Sequence, residues 1–215
     1  MSESSSFDLN VFIKESKETL LNPKTYFSTM KTSGGMGEPV LKALIYSVFA
    51  GVIVYLWGIL GLGGVAGVFG AGISAMAFVW TIIGAMIGLF IGAVVVLIIS
   101  AICKGNTDFE ACLRVVASVM VLFPVTAILG FITGISPVLG AIIGLCVNLY
   151  GLYLLYFGLT ESLKANPGTT KIVMYVLAAL LVIFMIAGLS ARKKLNNYMD
   201  DLGQVNRKEL TKEIS

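Results

Sequence analysis

Residues 43–102 read ALIYSVFAGVIVYLWGILGLGGVAGVFGAGISAMAFVWTIIGAMIGLFIGAVVVLIISAI, sixty positions without one Asp, Glu, Lys or Arg. A helix needs roughly 20 mostly apolar residues to cross a hydrocarbon core about 30 Å thick. A charge-free run of this length crosses more than once, and six glycines between Gly61 and Gly72 mark the turn. Two further charge-free runs cover 115–160 and 172–191. Between Leu41 and Ser190 every charge except Lys42 falls in two islands: Lys104, Asp108, Glu110 and Arg114, then Glu161, Lys164 and Lys171. The pattern predicts an all-α polytopic membrane bundle with five transmembrane helices, at 40–62, 73–102, 114–132, 137–160 and 172–190. The chain divides into an N-terminal amphipathic region and linker (1–38), a membrane domain (39–191) and a charged tail (192–215).

Composition agrees. The 215 residues are 57% hydrophobic and 13% charged, against about 25% charged in a soluble domain. Residues 1–10 are polar and have no signal-peptide layout, so the first span is expected to direct its own insertion. The second segment would be ~45 Å long at 1.5 Å per residue, so it has to tilt and project beyond the bilayer. Pro124 is expected to kink the third span, and Pro137 to open the fourth.

Ahead of the membrane domain, residues 7–21 have a helical mix, with Leu9, Ile13 and Leu20 near one face beside Phe12. Asn22 and Pro23 restart the helix as cap and first helical residue. Tyr26, Phe27 and Met30 then gather with Lys24 and Lys31. Such a helix suits either the headgroup layer or a docked position on the bundle end. Residues 33–37 read as a flexible linker. Positive charges in short loops mark the cytoplasmic face. The N-terminal lysines and both charged islands agree on a cytoplasmic N-terminus, here in the plasma (inner) membrane. Arg192, Lys193 and Lys194 after the fifth span oppose that assignment.

Histidine is absent, and Cys103, Cys112 and Cys146 match no zinc spacing. No metal, no cofactor and no nucleic-acid partner is expected, and Cys146 is read as a packing residue. No glycine-rich stretch has the Gly-Lys-Ser/Thr ending of a phosphate loop. Gly84, Gly88 and Gly92 recur every four residues and offer a close-packing helix face, as do Gly140 and Gly144 with Asn148. Contact within the chain is the expected use, with a homo-oligomer through these faces as the alternative; Asn148 is read as an interhelical hydrogen-bond donor. Asp108 and Glu110 read as helix-start acids. The five cores hold no ionisable group except Tyr and Cys, which argues against an ion-driven pump. A passive path lined by Thr81, Thr126 and Asn148 stays open. Tyr150, Tyr153 and Tyr156 read as interfacial anchors or packing residues rather than substrate-stacking rings.

The order of these parts resembles the Yip-domain family, small five-span membrane proteins. The resemblance is carried by Asn22-Pro23-Lys24-Thr25-Tyr26-Phe27 before span one, and by Gly105-Asn106-Thr107-Asp108-Phe109 after span two. Arg114-Val115-Val116-Ala117 through Pro124 in span three, and Gly158-Leu159-Thr160 with Glu161 and Lys164 at the fourth exit, complete it. It implies a cytoplasmic N-terminus, no cofactor, and action through protein or lipid contacts. The Asp-Leu-Tyr-Gly-Pro passage of eukaryotic members is missing, so binding of Rab-type GTPases is not carried over, and the chain looks like a prokaryotic-type member. The reading is a non-enzymatic scaffold or adaptor whose partners are membrane lipids or protein. Its alternative is a passive channel or carrier for a small or lipid-like solute. The candidate interaction surface is cytoplasmic: Asn22, Pro23, Tyr26, Phe27, Asp108, Glu110, Arg114, Glu161 and Lys164.

Overall fold

The computed structural model describes residues 8–62 and 71–213, with the side chains of 71–74 and 192–213 outside that description. The middle of the expected turn at 61–72 therefore lies outside the described residues. Helices are α1 (Leu9–Leu21), α2 (Pro23–Thr29), α3 (Gly37–Ile59), α4 (Ala71–Ile102), α5 (Phe109–Val119), α6 (Leu122–Leu129), α7 (Phe131–Ile135), α8 (Pro137–Phe157) and α9 (Pro167–Glu213), with a π turn at Gly158–Ser162. Five stretches are long and apolar enough to cross a membrane: Gly37–Ile59, Ala75–Ile102, Phe109–Ile135, Pro137–Ser162 and Pro167–Ala191.

The third crossing starts at Phe109, five residues before the expected start at Arg114. Asp108 caps it, its carboxylate accepting the Ala111 N–H at 2.9 Å. Arg114 is thereby drawn more than one turn into the helix. The expected break is present and sits one turn before Pro124. A proline has no N–H for the carbonyl four residues back, here Met120. That carbonyl instead takes the Phe123 N–H at 2.9 Å, and α5 ends at Val119. Ser136 and Pro137 open α8 as cap and first residue.

Packing is uneven. In their most apolar stretches the first three crossings are 33, 28 and 39% buried, the last two 6% each. The helix α3 lies against α4, α5 and α6, whereas α9 packs chiefly along α8. Cys146, expected to pack inside, faces outward on the thinly covered α8. The tail is one helix with the fifth crossing through Glu213.

Two loops of like construction join the halves. Cys103-Lys104-Gly105-Asn106 follows α4, and Leu163-Lys164-Ala165-Asn166 follows the π turn. Asn106 N–H donates to the Leu163 carbonyl at 2.6 Å, and Asn166 N–H to that of Cys103 at 2.8 Å. Lys104 and Lys164 both take left-handed backbone, φ 57° and 54°. Each asparagine accepts the N–H two residues on, Asp108 at 2.9 Å and Gly168 at 3.0 Å. Such reciprocal pairing holds the two charged islands edge to edge at one end of the bundle.

Glycine is required where these loops meet. A Cβ on Gly105 would stand 2.5 Å from Ser100 Oγ and 2.9 Å from the Leu163 carbonyl. On Gly158 it would stand 2.5 Å from a methyl of Val115. The expected Gly84-Gly88-Gly92 contact face is corrected here. Only Gly92 is approached, an added Cβ standing 3.0 Å from Val116; at Gly84 and Gly88 a Cβ would meet no described atom within 4 Å beyond its immediate helix backbone. On the second face Gly140 abuts Thr133, with 2.8 Å to its Cα, and Gly144 is open. Four-residue spacing places glycines in line, but neighbouring helices decide which of them is touched. Alanine at Gly105 or Gly158 should lower the melting temperature in detergent, at a cost of about 1–3 kcal/mol. Alanine at Gly84 or Gly88 should be neutral or stabilising by about 1 kcal/mol through helix propensity. Equal melting of the four variants would contradict this assignment.

Candidate functional site: a buried charge network at one end of the bundle

Helices α1 and α2 fold back over the end of the bundle where α3 begins. Pro23 is the first residue of α2, and Asn22 serves through its backbone, its side chain making no cap bond. Phe27 and Thr19 are fully buried and Tyr26 is 6% exposed. Ser162 Oγ donates to the Phe27 carbonyl at 2.7 Å, and the Tyr150 hydroxyl bonds the Leu20 carbonyl. Phe12 stacks tilted on Tyr46, 4.9 Å between centroids. Leu9 and Ile13, expected on that same face, turn outward, 57 and 56% exposed.

Two cations sit inside this end. Lys42, the isolated charge of the first span, donates to Glu15 at 2.9 Å and to the Tyr26 hydroxyl at 2.7 Å. An ammonium has no acceptor, so the Tyr26 oxygen accepts and its hydrogen goes to Ser118 Oγ at 2.9 Å. Ser118 in turn donates to the Arg114 carbonyl at 2.9 Å. The polarity of this chain runs from α3 through α2 into α5.

Arg114, 5% exposed, is the second cation. Its guanidinium donates to Glu110 at 3.0 Å, to Glu38 at 2.8 Å and to the Gly35 carbonyl at 3.0 Å. Gly35 N–H donates back to Glu110 at 2.7 Å. The linker expected to be flexible is thus pinned. Gly34 and Gly35 hold φ of 131° and 97°, where other residues would be strained.

The nine candidate surface residues separate. Asn22, Asp108 and Lys164 are exposed; Glu110 and Glu161 are half-buried; Pro23, Tyr26, Phe27 and Arg114 are buried. Glu15, Glu38, Lys42 and Ser118 join the network without having been among them. Only Lys42 carried a signal, as the lone charge in an apolar run. Asn148, expected to bond between helices, donates to the Gly144 carbonyl of its own helix at 2.7 Å. The back-bond uses one of the amide's two N–H donors, and no described residue of another helix bonds it. Thr126 and Asn148 line one lateral cavity of about 520 Å³; Thr81 is not among its lining residues and bonds the Ala77 carbonyl. Among the described residues no three His, Cys, Asp or Glu side chains converge to hold a metal.

An α-helical protein with five apolar crossings, its N-terminal helices folded onto a charged end, is a polytopic integral membrane protein. The chain belongs to the Yip1 domain family: that domain's model matches residues 17–189, from within α1 almost to the end of the fifth crossing. Comparison with curated proteins and with solved structures gives no match.

Arginine cannot be replaced by lysine here. A lysine is a point charge without the planar fork that meets two carboxylates and a carbonyl together. Arg114→Lys should destabilise by about 2 kcal/mol or more, read as a lower melting temperature in detergent. Asp108→Ala should cost only about 1 kcal/mol, the worth of a helix cap. The reverse ranking would show that the network contributes little.

Proposed function

We propose that this protein is a non-enzymatic scaffold or adaptor that works through protein or lipid contacts at the charged end of the bundle. The observation that supports it is the gathering of both charged islands, α1, α2 and the linker at that end. Hydrogen bonds between segments up to 135 residues apart hold them rigidly. Asn22, Asp108 and Lys164 stand exposed around a fixed frame, as suits a docking surface whose shape is set before the partner arrives. The short turn at the opposite end of the bundle, around Ser136, carries no charge. In this reading the membrane is the plasma (inner) membrane, and the charged end is cytoplasmic because Lys14, Lys17, Lys24 and Lys31 accompany Lys104, Lys164 and Lys171 of the two loops.

A second reading, a passive path for a small or lipid-like solute, is favoured by the 520 Å³ cavity between the halves. It is lined almost wholly by apolar side chains, so a lipid-like solute suits it better than an ion.

Two measurements test the first reading. Single cysteines at Ser33, Thr107 and Thr169, in a background without native cysteines, should resist an impermeant thiol reagent added to intact cells. These positions spare Asn106 and Asn166, whose side chains hold the loops. Photo-crosslinkers at Asn22, Asp108 and Lys164 should capture a specific product that crosslinkers on outward-facing Ile87 and Ile183 do not. External labelling would reverse the orientation. Solute flux in proteoliposomes, with no captured partner, would favour the path.

A further inference from the structure

A cleft of about 310 Å³ opens between α1, α2, α3 and α5, directly over the charge network. Its size is at the lower end of ligand sites, suited to a headgroup rather than a whole lipid. Lys31, Lys42 and Arg114 line it together with Glu15, Glu18 and Glu38. The walls therefore carry three positive and three negative groups and no net charge.

Their hydrogen-bonding capacity is only partly used. An ammonium has three N–H donors and a guanidinium five. Lys42 spends two and Arg114 three among the described residues. On the acidic side, among the described residues, Glu15 and Glu38 each bond through one carboxylate oxygen, and the Glu18 carboxylate meets only Lys14, at 4.0 Å. Donors for a phosphate and acceptors for an ammonium thus border the same small space. Glu38, Lys42 and Arg114 lie in the opening turns of the first and third crossings, so the cleft stands at the depth of the headgroups.

We propose that this cleft binds the zwitterionic headgroup of an aminophospholipid, phosphate toward Lys42 and Arg114 and ammonium toward Glu15, Glu18 and Glu38. An anionic headgroup such as phosphoglycerol would bring a phosphate without the ammonium that answers the carboxylates. A choline headgroup has no N–H to donate and favours an aromatic cage. The one aromatic ring lining the cleft, Tyr26, already faces Lys42 at 5.0 Å. The inference deepens the reading that this end works through protein or lipid contacts, and names the lipid.

The test is lipid retention by the purified full chain, read by native mass spectrometry after exchange into detergent with phosphatidylethanolamine, phosphatidylcholine or phosphatidylglycerol. Phosphatidylethanolamine should be retained about tenfold over the other two. Glu18→Gln with Lys31→Gln touches no strong internal bond, so it should melt like the wild type while losing most of that preference. Equal retention of the three lipids, or an unchanged preference in the double variant, would overturn the site. Free phosphoethanolamine should displace the lipid only weakly; displacement at equal concentration would mean a soluble ligand and defeat the lipid assignment. Crosslinked partners can persist when lipid selectivity fails, so the two readings fail separately.

Discussion

Arg114 sits where it cannot give up its proton and water scarcely reaches it, and the surrounding structure is arranged to answer that charge. Of its acceptors, Glu110 comes from its own helix, Glu38 from the first turn of α3 and the third from the Gly35 carbonyl. The last fixes the path of the linker, and so the two left-handed glycines and the direction in which α2 returns to the bundle. A buried cation with incomplete partners costs several kcal/mol, so helix entry, linker and third crossing depend on one another. Lys42 repeats the arrangement one layer over, its hydrogen-bond chain running through Tyr26 and Ser118 to the Arg114 carbonyl of α5.

The membrane interior is built differently. Spans four and five bury little of their surface, and the cavities beside them are lined by aliphatic and aromatic side chains with few polar atoms. Hydrocarbon offers helices no hydrophobic reason to close such gaps, because lipid tails fill them as well as leucine does. Where polar side chains border the gaps, Asn148 back-bonds within its own helix. Specific pairing is concentrated at the charged end, and that concentration is what the adaptor reading draws on.

Much of the fold was legible because a bilayer allows few solutions: charge-free runs of the right length have to be helices. Local chemistry was legible too. Asp108, Ser136, Pro124 and Pro137 act within a turn or so of their own positions, so their roles follow from neighbours in sequence. The site was legible only in part. Lys42 stood out as a lone charge, but its partner Glu15 lies 27 residues away and looked like one more acid on a polar helix. Tyr26 and Phe27 were marked by their aromatic character, which does not distinguish a recognition surface from a buried wedge. The glycines show the same limit. Regular spacing drew attention to Gly84 and Gly88, while the irregular Gly105 and Gly158 are the ones pressed by other segments.

The exchange of backbone bonds between residues 103–106 and 163–166 also has a bearing on how the chain is made. The Arg114 network needs nothing beyond the third crossing, so it can close as soon as α5 has entered the membrane. The fourth crossing is tied to the N-terminal helices by Tyr150 and Ser162, and the exit of the fourth and entry of the fifth are fixed by the Asn106 and Asn166 N–H groups. The last two helices are held to the first three by a clasp at their shared hairpin. A chain cut before residue 163 would keep the fourth helix on the bundle through the hydrogen bonds of Tyr150 and Ser162, without the paired loops that fix its exit.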